Sequence, residues 1–160
     1  MPFSPAITQK VLACSRKVAS DTRGLQFASP VTHISRPLDH AREPHEAYLR
    51  RFARCEGTIL FLGMNPGPWG MSQTGVPFGE VAAVQSFLGL EGTVDSPADA
   101  HPNRPIRGFS CAKSEVSGRR FWGLMQEKFG TADAFAASHF VWNWAPLAFM
   151  EESGRNRTPD

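Results

Sequence analysis

Two carboxamides stand where apolar runs end, and together they could hold a flat polar molecule. Asn65 follows the apolar residues 60–64 at the mouth of a loop dense in glycine and proline, LFLGMNPGPWGMSQTGVPFGEV. Asn143 interrupts a second apolar run, FVWNWAPLAF, near its end. A carboxamide offers an acceptor and a donor side by side, which suits a ring edge that alternates the two. Buried without partners, such an amide costs about 1–3 kcal/mol, so the alternative reading of Asn143 is a core amide satisfied by backbone. Phe78, in the same loop as Asn65, adds an aromatic face for stacking. Gly63, Gly67, Gly70, Gly75 and Gly79, with Pro66, Pro68 and Pro77, give that loop a fixed shape. Glycine permits close backbone approach, and proline fixes φ and removes a donor.

The elements that must position these groups follow from patterning. Residues 58–62 and 139–144 are short apolar runs, read as strands with helical segments between them, hence a β-α-β unit with parallel pairing. Ligands of open α/β sheets bind beyond the carboxyl ends of the strands, which is where both asparagines would then lie. Helical spacing predicts helices over 5–20, 44–53, 80–88, 119–129 and 133–137, with Phe121, Trp122, Leu124, Met125 and Phe129 on the inner side of the fourth. Residues 24–42 read as an extended connector, and 89–116 as a long irregular loop of functional character.

Composition bounds the class. The chain has 160 residues, 41% hydrophobic and 20% charged, as in a soluble single domain. It has no apolar run of membrane-spanning length and no secretory core, so no membrane partner is expected. The basic, acid-free first twenty residues read as an amphipathic helix, with a transit peptide as the alternative. Cys14, Cys55 and Cys111 are far apart and form no C-x-x-C pair, which points to a reducing compartment and no metal centre. The five histidines are scattered, with surface or loop roles expected. A net charge of +2 and pI near 8.6 are compatible with nucleic acid. Arg119, Arg120 and the segment SGRNRTP at 153–159 combine arginines with small donors, a pattern suited to phosphates.

Four segments carry a further likeness: GMNPGPWGMSQTGVPFGEV at 63–81, HPNRP at 101–105, KSEVSGRRFWG at 113–123 and SGRNRTP at 153–159. From about Pro30 onward the sequence resembles the single-strand-selective monofunctional uracil-DNA glycosylases, a branch of the uracil-DNA glycosylase superfamily. The resemblance implies a three-layer α/β/α fold with a central parallel sheet and a DNA groove across the carboxyl ends of its strands. It implies one partial domain over 1–160, with 1–28 a helical N-terminal extension. The implied reaction is hydrolysis of the N-glycosidic bond of uracil, or of oxidised uracils such as 5-hydroxymethyluracil, leaving an abasic site without a lyase step. By the same resemblance Asn65 is catalytic, while Met64, Gly67, Phe78 and Asn143 bind the base. Ser153, Gly154, Arg155, Asn156 and Arg157 then contact DNA. No cofactor and no metal are implied. The partner is single- or double-stranded DNA containing uracil, and the expected state is an intracellular monomer, cytoplasmic in a bacterium and nuclear in a eukaryote.

The sequence departs from that pattern in one respect. The superfamily carries a second catalytic motif of H-P-S type, and no such motif occurs in these residues. His101–Pro102 corresponds to a mid-chain loop and is not assigned that role. The later strands of the sheet are expected to be missing, with one edge unpaired. Two alternatives therefore stay open: a non-catalytic remnant that binds DNA or a base, and, ranked lower, an enzyme for deaminated purines.

Overall fold

The structure, a computed structural model, describes residues 4–53 and 59–159. The paired apolar runs form the centre of the site. Strand β2 (Ile59–Gly63) and strand β3 (His139–Asn143) pair in parallel, with Ile59 opposite His139 and Gly63 opposite Asn143. The ladder runs on past the strands: Trp144 N–H donates to Gly63 O and Ala145 N–H to Met64 O, both at 2.8 Å. The chain ends carrying Asn65 and Asn143 thus leave the sheet on the same side. Thr58, expected to open the first strand, and Cys55 lie outside the described residues.

The central parallel sheet expected from the resemblance is not what the described residues form. They make this two-stranded parallel pair and a separate three-stranded antiparallel sheet, ordered β1–β4–β5. Its strands are β1 (His33–Ser35), β4 (Ala148–Met150) and β5 (Asn156–Arg157). Strands of two or three residues are too short to display the period-2 alternation that marks a strand in sequence. The β4–β5 hairpin turns at Gly154, whose φ of 81° is left-handed, with Gly154 N–H donating to Glu151 O at 2.8 Å. On β2, Ile59, Leu60 and Leu62 are exposed, as are Met64 and Trp144 just beyond the strands.

The helices run as patterned, with shifted ends. They are α1 (Pro5–Thr22), α2 (Pro37–His40), α3 (Arg42–Phe52), α4 (Met71–Thr74), α5 (Val81–Ala83), α6 (Val116–Phe129) and α7 (Ala132–Ala136). Helix α5 continues as a wide π turn, Val84–Leu88. The connector at 24–42 holds β1 and α2, and the Gly/Pro loop holds the single turn α4, both too short to read from periodicity. Leu124, expected on the inner side of α6, is 45% exposed, while Trp122 and Met125 are buried.

One apolar core joins these elements: Tyr48, Leu49 and Phe52 of α3, Trp122 and Met125 of α6, Phe135 of α7 and Val141 of β3. The Tyr48 hydroxyl donates to Val141 O at 2.9 Å, fixing α3 across β3. Helix α1 is docked on α3 by more than apolar contact. Thr8 Oγ1 donates to Ala53 O at 2.8 Å, and the Arg16 guanidinium forks onto Glu46, both nitrogens at 2.8 Å. That pairing holds the Glu46 carboxyl down to about 2.

Of the histidines expected in surface or loop roles, His40 and His45 are buried in helices α2 and α3, and His101 is buried but lies in a loop. Each is satisfied by hydrogen bonds, which is how a ring with two polar nitrogens enters a core. His45 Nδ1–H donates to Gly75 O at 2.7 Å, a carbonyl that can only accept. Its Nε2 therefore accepts from Ser15 Oγ at 2.8 Å, and the ring is neutral. Burial pushes His45 down to about 4. Because the unfolded chain takes up this proton first, its contribution is complete above the ordinary value of 6.5 and is lost as pH falls towards about 4. Substituting His45→Gln should lower the melting temperature near neutrality, and the gap to wild type should narrow as pH falls through that window. Thermal melts across the range, with the two proteins compared at each pH, check this.

Candidate active site at the ends of the parallel strands

Beyond Gly63 the backbone enters the Gly/Pro loop, and a network of buried polar side chains holds it. Gln73 Nε2–H donates to Pro68 O at 2.8 Å and to Pro105 O at 3.1 Å, while its Oε1 accepts Arg107 N–H at 2.8 Å. This ties the loop to residues 105–107. Thr74 Oγ1–H donates to Gly79 O at 2.9 Å, and His45 holds Gly75, whose φ of 71° ends α4. Glu80 caps α5, accepting Ala83 N–H at 2.8 Å through Oε2 and the Ser114 hydroxyl at 2.8 Å through Oε1.

A cavity of about 240 Å³ opens at the strand ends, lined by Gly63, Met64, Asn65, Gly67, Pro68, Phe78, Glu115, Ser117, Asn143 and Asn156. All five residues assigned to catalysis or base binding from the sequence therefore meet in one place. Asn143 is buried, and its Nδ2–H donates to Met71 Sδ at 3.1 Å. Its Oδ1 lies over Gly63, close enough that a Cβ there would collide with it and would stand 3.1 Å from the Phe78 ring. Phe78 stacks one face on Phe121, with centroids 4.7 Å apart and planes 18° apart, so one ring face is already taken. Its φ of 52° is unusual for a residue with a side chain, and its carbonyl accepts Glu80 N–H at 2.8 Å. Strain of that kind costs about 1–3 kcal/mol and is retained where surroundings enforce it.

Asn65 is half-buried, and among the described residues its amide makes one long hydrogen bond, Nδ2–H to Pro66 O at 3.4 Å. The amide is thus nearly unengaged within the cavity. The Met64 carbonyl accepts from Ala145 N–H at 2.8 Å. No lysine, arginine or histidine lines the cavity among the described residues. Among the described residues the one ionisable side chain in its wall is Glu115, the residue just before α6, held up to about 7 by burial first and by the nearby Glu80 charge second.

The segment assigned to DNA is divided by the structure. Asn156 lines the cavity, with a buried Oδ1 that has no partner. Ser153 and Arg155 are exposed at the hairpin tip. Arg157 is not a free cation: its Nη1 pairs with Glu151 Oε1 at 3.0 Å across the β4–β5 hairpin. Gly154 packs on His101, whose Nε2–H donates to Glu152 O at 2.9 Å and whose Nδ1 accepts Asn103 N–H at 3.0 Å. His101 is thus a support for the hairpin and lies outside the cavity. Sequence reasoning missed Glu115, Ser117 and the Met71 sulfur. The signal for Glu115 was present as glycines at 67 and 70, which leave room for a neighbour's side chain. Among the described residues no group of three or more His, Cys, Asp or Glu is placed to hold a metal.

Comparison with known proteins now has a site to refer to. No protein-family model matches the chain. The fold is of the kind seen in the crystal structure of Pedobacter heparinus SMUG2, with TM-score 0.56 and 19% identity, over 96% of this chain and 60% of that one. In sequence the chain is homologous over nearly its whole length to the single-strand selective monofunctional uracil-DNA glycosylases. Identity is 46% over 158 residues with the Rattus norvegicus protein, 45% over 159 with that of Mus musculus and 44% over 158 with that of Bos taurus. These alignments take in 99% of this chain and 57–58% of the relatives, so the chain spans somewhat over half their length.

A methyl group at position 63 has no place beside Asn143 and Phe78. Gly63→Ala should therefore destabilise the protein by about 1–3 kcal/mol, the usual range for overpacking a tight site. Urea unfolding measures it.

Proposed function

We propose that this chain forms the base-reading and water-holding part of a uracil-DNA glycosylase, which hydrolyses the N-glycosidic bond of uracil in DNA and leaves an abasic site. The observation that carries the reading is the meeting of Asn65, Phe78 and Asn143 around one cavity, in a chain homologous to glycosylases of that name. Oxidised uracils such as 5-hydroxymethyluracil belong to the same substrate class. In this reading the two parallel strands are the centre of the larger parallel sheet of a three-layer fold.

The chemistry follows from the residue types. A base within a duplex is out of reach, so the target is either flipped out or already single-stranded. Extruded uracil lies on the free face of Phe78. Asn143, with one amide hydrogen held by Met71, offers its second N–H and its Oδ1 to the carbonyl and N–H along the uracil edge. Cytosine presents the reverse pattern and leaves a buried amide mispaired, which can discriminate by about 10⁴-fold. Met64 and Gly67 supply backbone at the rim.

Uracil departs as an anion, so a strong acid is not required. Asn65 holds a water on the sugar side through its carboxamide. A weak nucleophile suffices there because the sugar carbon is oxocarbenium-like when attacked. With no lysine in the cavity wall among the described residues, the reaction ends at hydrolysis. The exposed Arg119, Arg120 and Arg155, with Ser153 at the hairpin tip, are available to phosphates.

Incubation with a uracil-containing single-stranded oligonucleotide, followed by alkali, should reveal strand breaks at uracil. Asn65→Ala should slow them by about 10²-fold or more while leaving uracil binding in place. Asn143→Asp should weaken the preference for uracil over cytosine, measured as the ratio of the two rates. Breaks that persist at the wild-type rate in Asn65→Ala would remove that residue from the chemistry. Binding of the oligonucleotide without any breakage would favour the reading as a non-catalytic binding module.

A further inference from the structure

The cavity has one ionisable group that the reading above does not use. Resting on that reading, we propose that Glu115 is a positioning residue for excision: its carboxyl is the strut that holds the Gly67–Gly70 backbone and, through it, Asn65. The geometry is a lodged side chain. Both carboxyl oxygens occupy the space where residues 67 and 70 lack a Cβ, and a methyl group on either glycine would collide with them. On the other side the same carboxyl lies against Gly118, where a Cβ would stand 2.9 Å from Oε2. The side chain thus fills the gap between the loop and the first turn of α6.

The groups facing this carboxyl explain the state in which it works. Residues 63–70 contain no charged side chain. From α6 the Ser117 hydroxyl and the Gly118 N–H lie near it and favour the ionised form, but burial and the Glu80 carboxylate at the cap of α5 outweigh them. Asn156, from β5, is the neutral group across the cavity. Among the described residues no cation lines the cavity beside it, so ionising Glu115 would set two acids side by side and add negative charge to a wall from which, in this reading, an anion departs. The strut therefore works protonated. Burial and Glu80 hold its pKa up at about 7, so it changes state within the ordinary working range.

The test uses Glu115→Gln, which keeps the shape and cannot ionise, and Glu115→Ala, which removes the strut. Uracil excision from a single-stranded oligonucleotide is measured from about pH 5.5 to about pH 9. Wild-type excision should fall as pH rises through about 7. Glu115→Gln should match wild type at about pH 6 and lack that fall. Glu115→Ala should be slower by about 10²-fold throughout, the scale of a misplaced catalytic group. Equal damage from Gln and Ala, a fall in rate that Glu115→Gln retains, or a fully active Glu115→Ala would each overturn the proposal.

A second readout separates this inference from the function on which it rests. The raised carboxyl contributes stability that is complete below its ordinary value of 4.5 and is lost as pH rises through about 7. The melting temperature of wild type relative to Glu115→Gln should fall across that window. If no protein in the series, wild type included, excises uracil, the functional reading fails, and the melting difference then decides the strut by itself. Its presence supports the lodged, protonated carboxyl, and its absence overturns it.

Discussion

The site depends on one pairing, the parallel alignment that sets Gly63 opposite Asn143. Side chains alternate across a strand, so a slip of one residue would turn Asn143 to the other face and place Trp142 or Trp144 over the cavity. The register is enforced from both sides. Val141 is buried in the core under Tyr48, and the ladder extends two bonds past the strands to Met64 O. Gly63 is the residue that lets the amide come down onto the backbone. The closeness of strand end, amide and ring leaves no room for a side chain at that point.

What the pairing brings together, the loop must keep still. A segment so rich in glycine loses much entropy when ordered, and buried polar side chains add to the apolar packing of Met71, Val76 and Phe78 in fixing it. Gln73, Thr74, His45 and Glu80 each bond a backbone group of the loop or of its neighbours. All four come from α3 or from the loop itself and its exit, so the cradle is assembled largely by local chain. The same network tolerates Phe78 in a left-handed conformation, because the ring is trapped against Phe121 and its carbonyl is bonded to Glu80.

Much of this was legible beforehand, for physical reasons that differ by element. The strands at 59–63 and 139–143 are short, mostly apolar runs with an amide at or beyond the end, legible as strands although Ile59, Leu60 and Leu62 of β2 are exposed. The long helices α1, α3 and α6 announce themselves by period. The antiparallel sheet did not, since β1, β4 and β5 are held by backbone pairing and a glycine turn rather than by a repeating side-chain pattern. For the same reason the sequence does not show that Asn156, expected to contact DNA, also lines the cavity, where the hairpin turns it. The burial of His45 in α3 has no local signal, because its ring is satisfied by residues remote in sequence, Ser15 and Gly75.

The cavity is polar without a basic side chain: among its described wall residues there is no lysine, arginine or histidine. Its polarity comes from amides, a hydroxyl, backbone groups and an acid whose ionisation is opposed by burial. Fixed dipoles in a small, half-closed volume act strongly because little water competes with them. They also discriminate by pattern, which a point charge cannot do. Burial opposes charge on two titratable side chains at the loop, holding His45 down to about 4 and Glu115 up to about 7, while the Glu80 carboxylate is hydrogen-bonded at the cap of α5.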